Sequence, residues 1–514
     1  MMPRMPRPAP PPPPVPGLDA AACWRAHLAR DARFDGRFFT AVLSTGIFCR
    51  PICPARTPRR EHCAFYPSAA AAQAAGFRPC LRCRPELAPG VAGWRGTANT
   101  VARALALISA GAWGEGDDVE ALAERVGVGG RQLRRLFARH VGAPPIRIAQ
   151  AQRVLLAWRL LADTALPLGD VAAAAGFGSV RRFNEAVRRT FRRPPGALRR
   201  GAAVPPPDGA IAIALPHTAP YDWPALLEFL AARAIPGVEQ VADGAYRRTV
   251  ALDGAAGTVE VRPDPRGRGL LATLRLPRVA AIAPAVERLR RLLDLDADAA
   301  AIGAHLSGDP LLAPLLAARP GLRVPGAWEP FELVVRAVLG QQVSVAAART
   351  LAGRLAARLG APVDSGDPAL SRLFPGPEAL AGADLEGLGL TRARAATLAA
   401  IGGAVRDDPS LLAPGGELED AVARLDALPG IGRWTAQYVA MRALHQPDAF
   451  PEGDLGLLAA LGGLRGRGRA APGELLRRAE RWRPWRAYAA LHLWMSLRPR
   501  APAAARARRK ERRS

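Results

Sequence analysis

Apolar residues recur at two different periods along this 514-residue chain. In "DVEALAERVGVGGRQLRRLFARHVG" the positions Leu122, Val126, Leu133 and Phe137 fall on one side of a helix, a glycine turn and a second helix. The same design returns about 50 residues later in "LGDVAAAAGFGSVRRFNEAVRRTFRRPPGAL", joined to the first by the helical stretch "IRIAQAQRVLLAWRLLAD". After a Pro/Gly joint, "GAAVPPPDG", the runs "AIAIALP", "AYRRTVAL" and "GLLATLRLP" have the length and flanking Gly, Pro and Asp of strands. From about residue 285 to 500 the period is helical again, broken by "RPGLRVPG", "FPGPEAL" and "LPGIG". The pattern predicts a multidomain α+β chain, mainly α. Its parts are a small cysteine-bearing domain (18–90), a double helix-turn-helix domain (97–200), a small antiparallel β/α domain (210–284) and an all-α domain (285–500). A proline-rich start (1–17) is expected to be extended and disordered, 201–209 to be a linker, and 501–514 to be a solvated basic tail.

Composition narrows the partners. The net charge is +26 and the pI about 11.4, which points to a polyanion. Lys510 is the single lysine among 71 basic residues, so a general preference for arginine accounts for part of this excess. Placement says more: residues 101–200 hold 17 arginines against 8 acids, on the very helices that repeat. Double-stranded DNA is the expected partner. No apolar run is long enough to span a bilayer and no charged-then-apolar leader opens the chain, so a cytoplasmic, nucleoid-associated protein without a membrane partner is expected. A reducing compartment disfavours disulfides.

All six cysteines lie before residue 84. Cys49-x3-Cys53 and Cys80-x2-Cys83 form two chelating pairs about 30 residues apart, and four thiolates suit one Zn²⁺. Spacing alone favours a closed structural site. Cys23 and Cys63 fall outside the pairs and read as buried thiols.

The segments "GIFCRPICPAR" and "GFRPCLRC" resemble the zinc domain of Ada-type proteins over about 70 residues. The resemblance implies that Cys49 is both zinc ligand and nucleophile, accepting one methyl group from a methylated DNA phosphate. Arg50, Arg56 and Arg78 are candidate phosphate contacts. The two helix-turn-helix units resemble the AraC-type DNA-binding domain, whose second helices enter the major groove. Candidates facing DNA are Arg131, Gln132, Arg134 and Arg135, then Ser179, Arg181, Arg182 and Asn184. The alternative is a helical scaffold with a solvated basic face. Such a regulator implies RNA polymerase as a further partner, and a monomer is expected.

In "LDALPGIGRWTAQYVAMRAL" Pro429, Gly430 and Gly432 allow a tight turn that aims helix N-terminal amides at a phosphate. Asp454, 22 residues past Gly432, opens the next helix. By itself Asp454 reads as an N-cap. Hairpin and aspartate together resemble the helix-hairpin-helix DNA glycosylases. "PYDWPALLEFLAARAIPGVEQVADGAYRRTVAL", "RPGLRVPGAWEPFELVVRAVLGQQVSVAAA" and "ERWRPWRAYAALHLWMSL" extend this to the AlkA-type 3-methyladenine glycosylases over about 290 residues.

The resemblance implies that Asp454 is the catalytic carboxylate and that Phe229, Trp434, Tyr438 and Trp494 line the pocket for a flipped base. Core packing is the alternative for these aromatics. It further implies DNA contacts at Gln342, Leu428, Gly430 and Gly432, and a monovalent cation at the hairpin. Two departures stand out. Gly453 replaces a second acidic residue before Asp454, and Gln342 replaces an apolar wedge. Trp434 stands where strand-cutting relatives carry a lysine, four C-terminal cysteines for an iron–sulfur cluster are missing, and no "PCHR"-like methyltransferase nucleophile occurs. The expected protein is a fused zinc methyl acceptor, regulator and monofunctional glycosylase. The rival is a transcription factor whose glycosylase-like half only grips DNA.

Overall fold

The structure, a computed structural model, describes residues 12–15, 18–31, 34–83, 85, 99–109, 118–199, 209–413, 418–466 and 468–497. The basic tail, most of the 201–209 linker and most of the proline-rich start lie outside the described residues. Within that start, however, Val15 is buried against Cys23, Phe38 and Phe65, so the expectation of disorder does not hold at this residue. An apolar side chain at the end of a stiff proline run has docked into a small core.

Strands β1 (Phe39–Val42), β2 (Ile47–Cys49), β3 (Cys63–Tyr66) and β4 (Arg78–Pro79) form a sheet ordered β3-β1-β2-β4. Only the β2–β4 pair is parallel. Phe39, Ala41, Phe48 and Tyr66 pack with Ala71 and Ala72 of helix Ala69–Ala74. Cys63 and Phe65 instead join Cys23 and Ala26 of helix Ala20–Leu28. Both faces are thus covered, which is why all four residues of β1 are buried. Cys23 and Cys63 are core thiols, as expected.

The next six helices are Asn99–Ser109, Val119–Arg125, Gly130–His140, Pro145–Asp163, Leu168–Ala174 and Val180–Phe191. The two repeated units end their first helix in the same way. Gly127 (φ 76°) and Gly176 (φ 77°) take left-handed turns, and the following amides, of Val128 and Phe177, donate to the carbonyls of Ala123 and Ala172 at 3.0 Å. Leu122, Val126, Leu133 and Phe137 are buried, and so are their counterparts Val171, Phe183 and Val187. The second unit shares its core with the sheet that follows: Trp158, Phe183 and Phe191 belong to the same cluster as Ile213, Val261 and Leu289.

That second sheet is antiparallel throughout, ordered β5-β9-β8-β7-β6, with β5 Ile211–Leu215, β6 Glu239–Ala242, β7 Ala245–Leu252, β8 Ala255–Pro263 and β9 Leu270–Arg275. Asp243-Gly244 and Asp253-Gly254, all four at positive φ, make the two-residue turns before β7 and β8. A buried ion network ties this sheet to the helical part. Arg248 pairs with Glu332 at 2.6 Å and Arg336 with Glu239 at 2.8 Å, while Tyr246 donates to Glu239 at 2.6 Å. Removing one member of such a network typically costs about 3–5 kcal/mol. The helices from Ala299 to Ser496 then wrap one continuous core. Among the described residues no helix is long and apolar enough to cross a membrane.

Candidate functional site

The four paired cysteines meet because β2 and β4 run parallel, with Ile47 opposite Arg78 and Phe48 opposite Pro79. Cys49 and Cys80 therefore leave the sheet side by side, and the Cys80 amide donates to the Phe48 carbonyl at 3.0 Å. A turn closed from the Cys53 amide to the Arg50 carbonyl, 3.2 Å, brings the third sulfur back. All four Sγ atoms, with that of Cys83, lie within 4.8 Å of one another, and all four residues are buried. Four convergent soft donors without a carboxylate fit Zn²⁺.

Arg50 is turned inward. Its Nε donates to Asp35 Oδ1 at 2.9 Å, its Nη1 to the Cys83 carbonyl at 3.2 Å, and its own amide to Cys83 Sγ at 3.3 Å. It braces the cysteine loops. Arg56 is exposed. Arg78 lines a cleft of about 640 Å³ with Arg147, Arg153, Arg182 and Arg189, between the cysteine domain and the second helix-turn-helix unit.

On the helix Gly130–His140, Arg131, Gln132, Arg134 and Arg135 are all exposed, with Arg134 paired to Glu120 at 3.0 Å. Ser179 caps Val180–Phe191 by accepting the Arg182 amide at 3.3 Å. Arg181 and Arg182 are exposed and Asn184 is half-buried.

The hairpin joins helix Leu418–Asp426 to helix Arg433–Arg442. Gly430 sits at φ 75°, and a Cβ there would lie 2.3 Å from Thr397 Oγ1, so both conformation and space demand glycine. Gly432 is the N-cap of the second helix and offers no side chain to its first amides. Leu428 is placed inside: its side chain is in the core, its amide donates to Leu425 and its carbonyl accepts from Ile431. An apolar side chain before a tight turn anchors the hairpin. Gln342 is exposed at φ 56°, on a loop held by its neighbour. Gln341 Nε2 donates to the Gly430 carbonyl at 2.9 Å, and Arg394 donates to the Gln341 carbonyl at 2.6 Å.

Asp454 is indeed the N-cap of helix Leu455–Leu464, with Oδ1 accepting the Leu457 amide at 2.8 Å. It is more than a cap. Trp494 Nε1 donates to the same oxygen at 2.8 Å and Trp434 Nε1 to Oδ2 at 3.2 Å. Gly456 permits this, since a Cβ there would stand 2.9 Å from Oδ1 and 3.3 Å from Trp494 Cδ1. Trp434 lies parallel to Tyr438 (5.4 Å, 7°), and Tyr438 meets Trp494 edge-on at 6.3 Å. Asp454, Trp434, Tyr438 and Trp494 are half-buried and so open to an incoming group. Phe229 differs. Its ring is 5% exposed and carries two guanidiniums, Arg233 at 3.7 Å and Arg442 at 4.9 Å, so its π face is already engaged by cations. Arg442 also donates to the Tyr438 hydroxyl at 2.7 Å. Burial alone would raise the Tyr438 phenol, but Arg442, Arg233 and Arg336 together hold it below its usual range.

Three family models match in succession: the metal binding domain of Ada over residues 22–86, a helix-turn-helix domain over 122–201 and the AlkA N-terminal domain over 212–329. The "probable bifunctional transcriptional activator/DNA repair enzyme AlkA" of Mycobacterium tuberculosis is 45% identical over 486 residues, 93% of this chain and 97% of its own. The chain belongs to the family of AlkA-type bifunctional transcriptional activator/DNA repair enzymes. Within this AlkA-type chain the two functions have separate relatives. DNA-3-methyladenine glycosylase 2 of Escherichia coli is 38% identical over 278 residues, 54% of this chain and 94% of its own. The E. coli bifunctional transcriptional activator/DNA repair enzyme Ada is 42% identical over 130 residues, 25% of this chain and 35% of its own.

Sequence reasoning missed Gly456, Gln341, Asp35 and the Arg233–Arg442 pair. Gly456 left a local signal, a glycine in the first turn of an apolar helix. Arg233 also lies one helical turn past Phe229, but Gln341, Asp35 and the reach of Arg442 to Phe229 act across distances in sequence that no periodicity records.

Proposed function

We propose that this protein excises alkylated purines from DNA by hydrolysis, and that it reports alkylation by accepting a methyl group on Cys49. The observation that carries the glycosylase reading is the convergence of Trp434 and Trp494 on Asp454, which holds a half-buried carboxylate among aromatic rings. A purine alkylated on a ring nitrogen is cationic and already a good leaving group. As its bond to C1′ breaks, the electron pair goes to the base and positive charge builds on the sugar. Asp454 faces that charge and takes the proton of the water that adds to C1′. Trp434, Tyr438 and Trp494 offer flat surfaces to the extruded base, and Gln342 is positioned to fill the gap it leaves. Glycine turns at Gly430 and Gly432 hold the phosphate backbone, with a monovalent cation as a candidate partner of the hairpin. Trp434 offers no amine beside the sugar, so the product is an abasic site with an intact strand.

At the other end, Cys49, Cys53, Cys80 and Cys83 would hold Zn²⁺, which keeps thiols deprotonated at neutral pH. The Cys49 sulfur attacks the methyl carbon of a methylated phosphate. The S–C bond forms, the C–O bond breaks, and the electron pair stays on the phosphate oxygen, leaving an ordinary diester. The exposed arginines of the two helix-turn-helix units carry promoter binding, with RNA polymerase as the partner of a monomeric activator. Release of 3-methyladenine from alkylated duplex, with and without Asp454→Asn, tests the enzyme reading. Mass analysis of Cys49 after exposure to methylated-phosphate DNA tests the acceptor.

A further inference from the structure

Arg442 is 5% exposed, and its guanidinium is held by neutral groups: Nε by the Pro325 carbonyl (2.7 Å), Nη2 by the Gly326 carbonyl (3.0 Å) and Nη1 by the Tyr438 hydroxyl (2.7 Å). Among the described residues no carboxylate forms an ion pair with it. Buried charges are normally paired, because leaving one uncompensated is costly. This one lies directly behind a pocket for a leaving base, with Arg233 beside it over Phe229. The Tyr438 oxygen is the acceptor in its bond to Arg442, so the phenol proton is left over, and no acceptor among the described residues takes it. The parallel stack on Trp434 fixes the ring that carries it.

We infer that Tyr438, held by Arg442, donates a hydrogen bond to the departing base, and that this pair sets how well the pocket releases purines that leave as anions. The inference rests on the glycosylase reading above. A cationic alkylpurine departs neutral and needs no such help. A neutral purine departs with an electron pair on its ring nitrogens, and the developing negative charge spreads to the acceptor atoms of the base. There the phenol O–H meets it, with the uncompensated Arg442 charge behind. The bond that breaks is C1′–N, the electron pair goes to the base, and water supplies the hydroxyl that C1′ gains. A positive charge behind the pocket disfavours a cationic base, and Phe229 cannot attract one, so cationic purines depend on their own readiness to leave. Selectivity between the two classes therefore turns on the donor.

Tyr438→Phe keeps the ring and its stack and removes only the hydroxyl. Single-turnover release of hypoxanthine, a neutral purine, and of 7-methylguanine, a cationic one, is measured for wild type and variant, with melting temperatures on the same preparations. The hypoxanthine-to-7-methylguanine rate ratio is expected to fall about tenfold or more, as befits loss of one hydrogen bond to a developing charge. An unchanged ratio, whether both rates drop together or neither does, overturns the donor role and leaves Tyr438 as a stacking surface. A wild type that releases no 7-methylguanine overturns the glycosylase reading itself, which is a separate result.

Discussion

Trp494 Nε1 lies 2.8 Å from Oδ1 of Asp454, so an aromatic ring of the candidate site and its carboxylate are hydrogen-bonded to each other. The contact spans 40 residues and joins the start of helix Leu455–Leu464 to helix Arg486–Ser496. It means the carboxylate cannot rotate without moving the surface a base would stack on.

Gly456→Ala tests that coupling. The added Cβ meets Oδ1 at 2.9 Å and Trp494 Cδ1 at 3.3 Å, so one of them must shift. The helix meanwhile gains a better helix former, worth up to about 1 kcal/mol. Displacing the capping oxygen costs about as much as the helix former gains, so the expected outcome is a melting temperature changed little, with excision slowed about 10- to 100-fold, the usual cost of misplacing a reacting group. Wild-type turnover would mean the Trp494–Asp454 contact is incidental.

Gly430→Ala acts on the hairpin. It combines a strained left-handed residue with a clash against Thr397 Oγ1 at 2.3 Å, and a loss of about 1–3 kcal/mol in stability is expected. Affinity for a duplex with an abasic-site analogue should weaken as well. Adding Thr397→Ala relieves the clash but not the backbone strain, so recovery should be partial. Full recovery by the double variant would show that φ at Gly430 is immaterial.

Methylation of Cys49 is expected to tighten promoter binding. Four thiolates around one divalent cation carry two formal negative charges, and conversion of one to a thioether leaves one. Phosphate repulsion then drops, more at low salt than at high. Equal binding of methylated and unmethylated protein at low ionic strength would refute this switch.

Much of this was legible before any coordinates. The cysteine pairs announce a four-thiol site because local turns fix each pair, and the helix-turn-helix units announce themselves twice through the same 3.6-residue period. Of the two readings of Asp454, the cap is seen directly: its Oδ1 accepts the Leu457 amide, and the same oxygen also receives Trp494. What stayed hidden are partnerships made by the fold. Nothing near Arg50 says that Asp35 will claim it, and nothing in the helix Trp223–Ala231 says that Phe229 will carry a guanidinium from distant Arg442. A count of arginines cannot separate those that face DNA from those that brace a loop.

The most direct test of the central claim is single-turnover release of 3-methyladenine from alkylated duplex by wild type and Asp454→Asn. Asn keeps an oxygen for the Leu457 amide and for Trp494, but sets an N–H against the Trp434 indole, so stability should drop by about 1–3 kcal/mol and no more. Loss of the negative charge facing the sugar should slow release about 100- to 1000-fold, with affinity for an abasic-site analogue largely kept. Near wild-type turnover of the Asn variant would return Asp454 to the role of a helix cap and contradict the account.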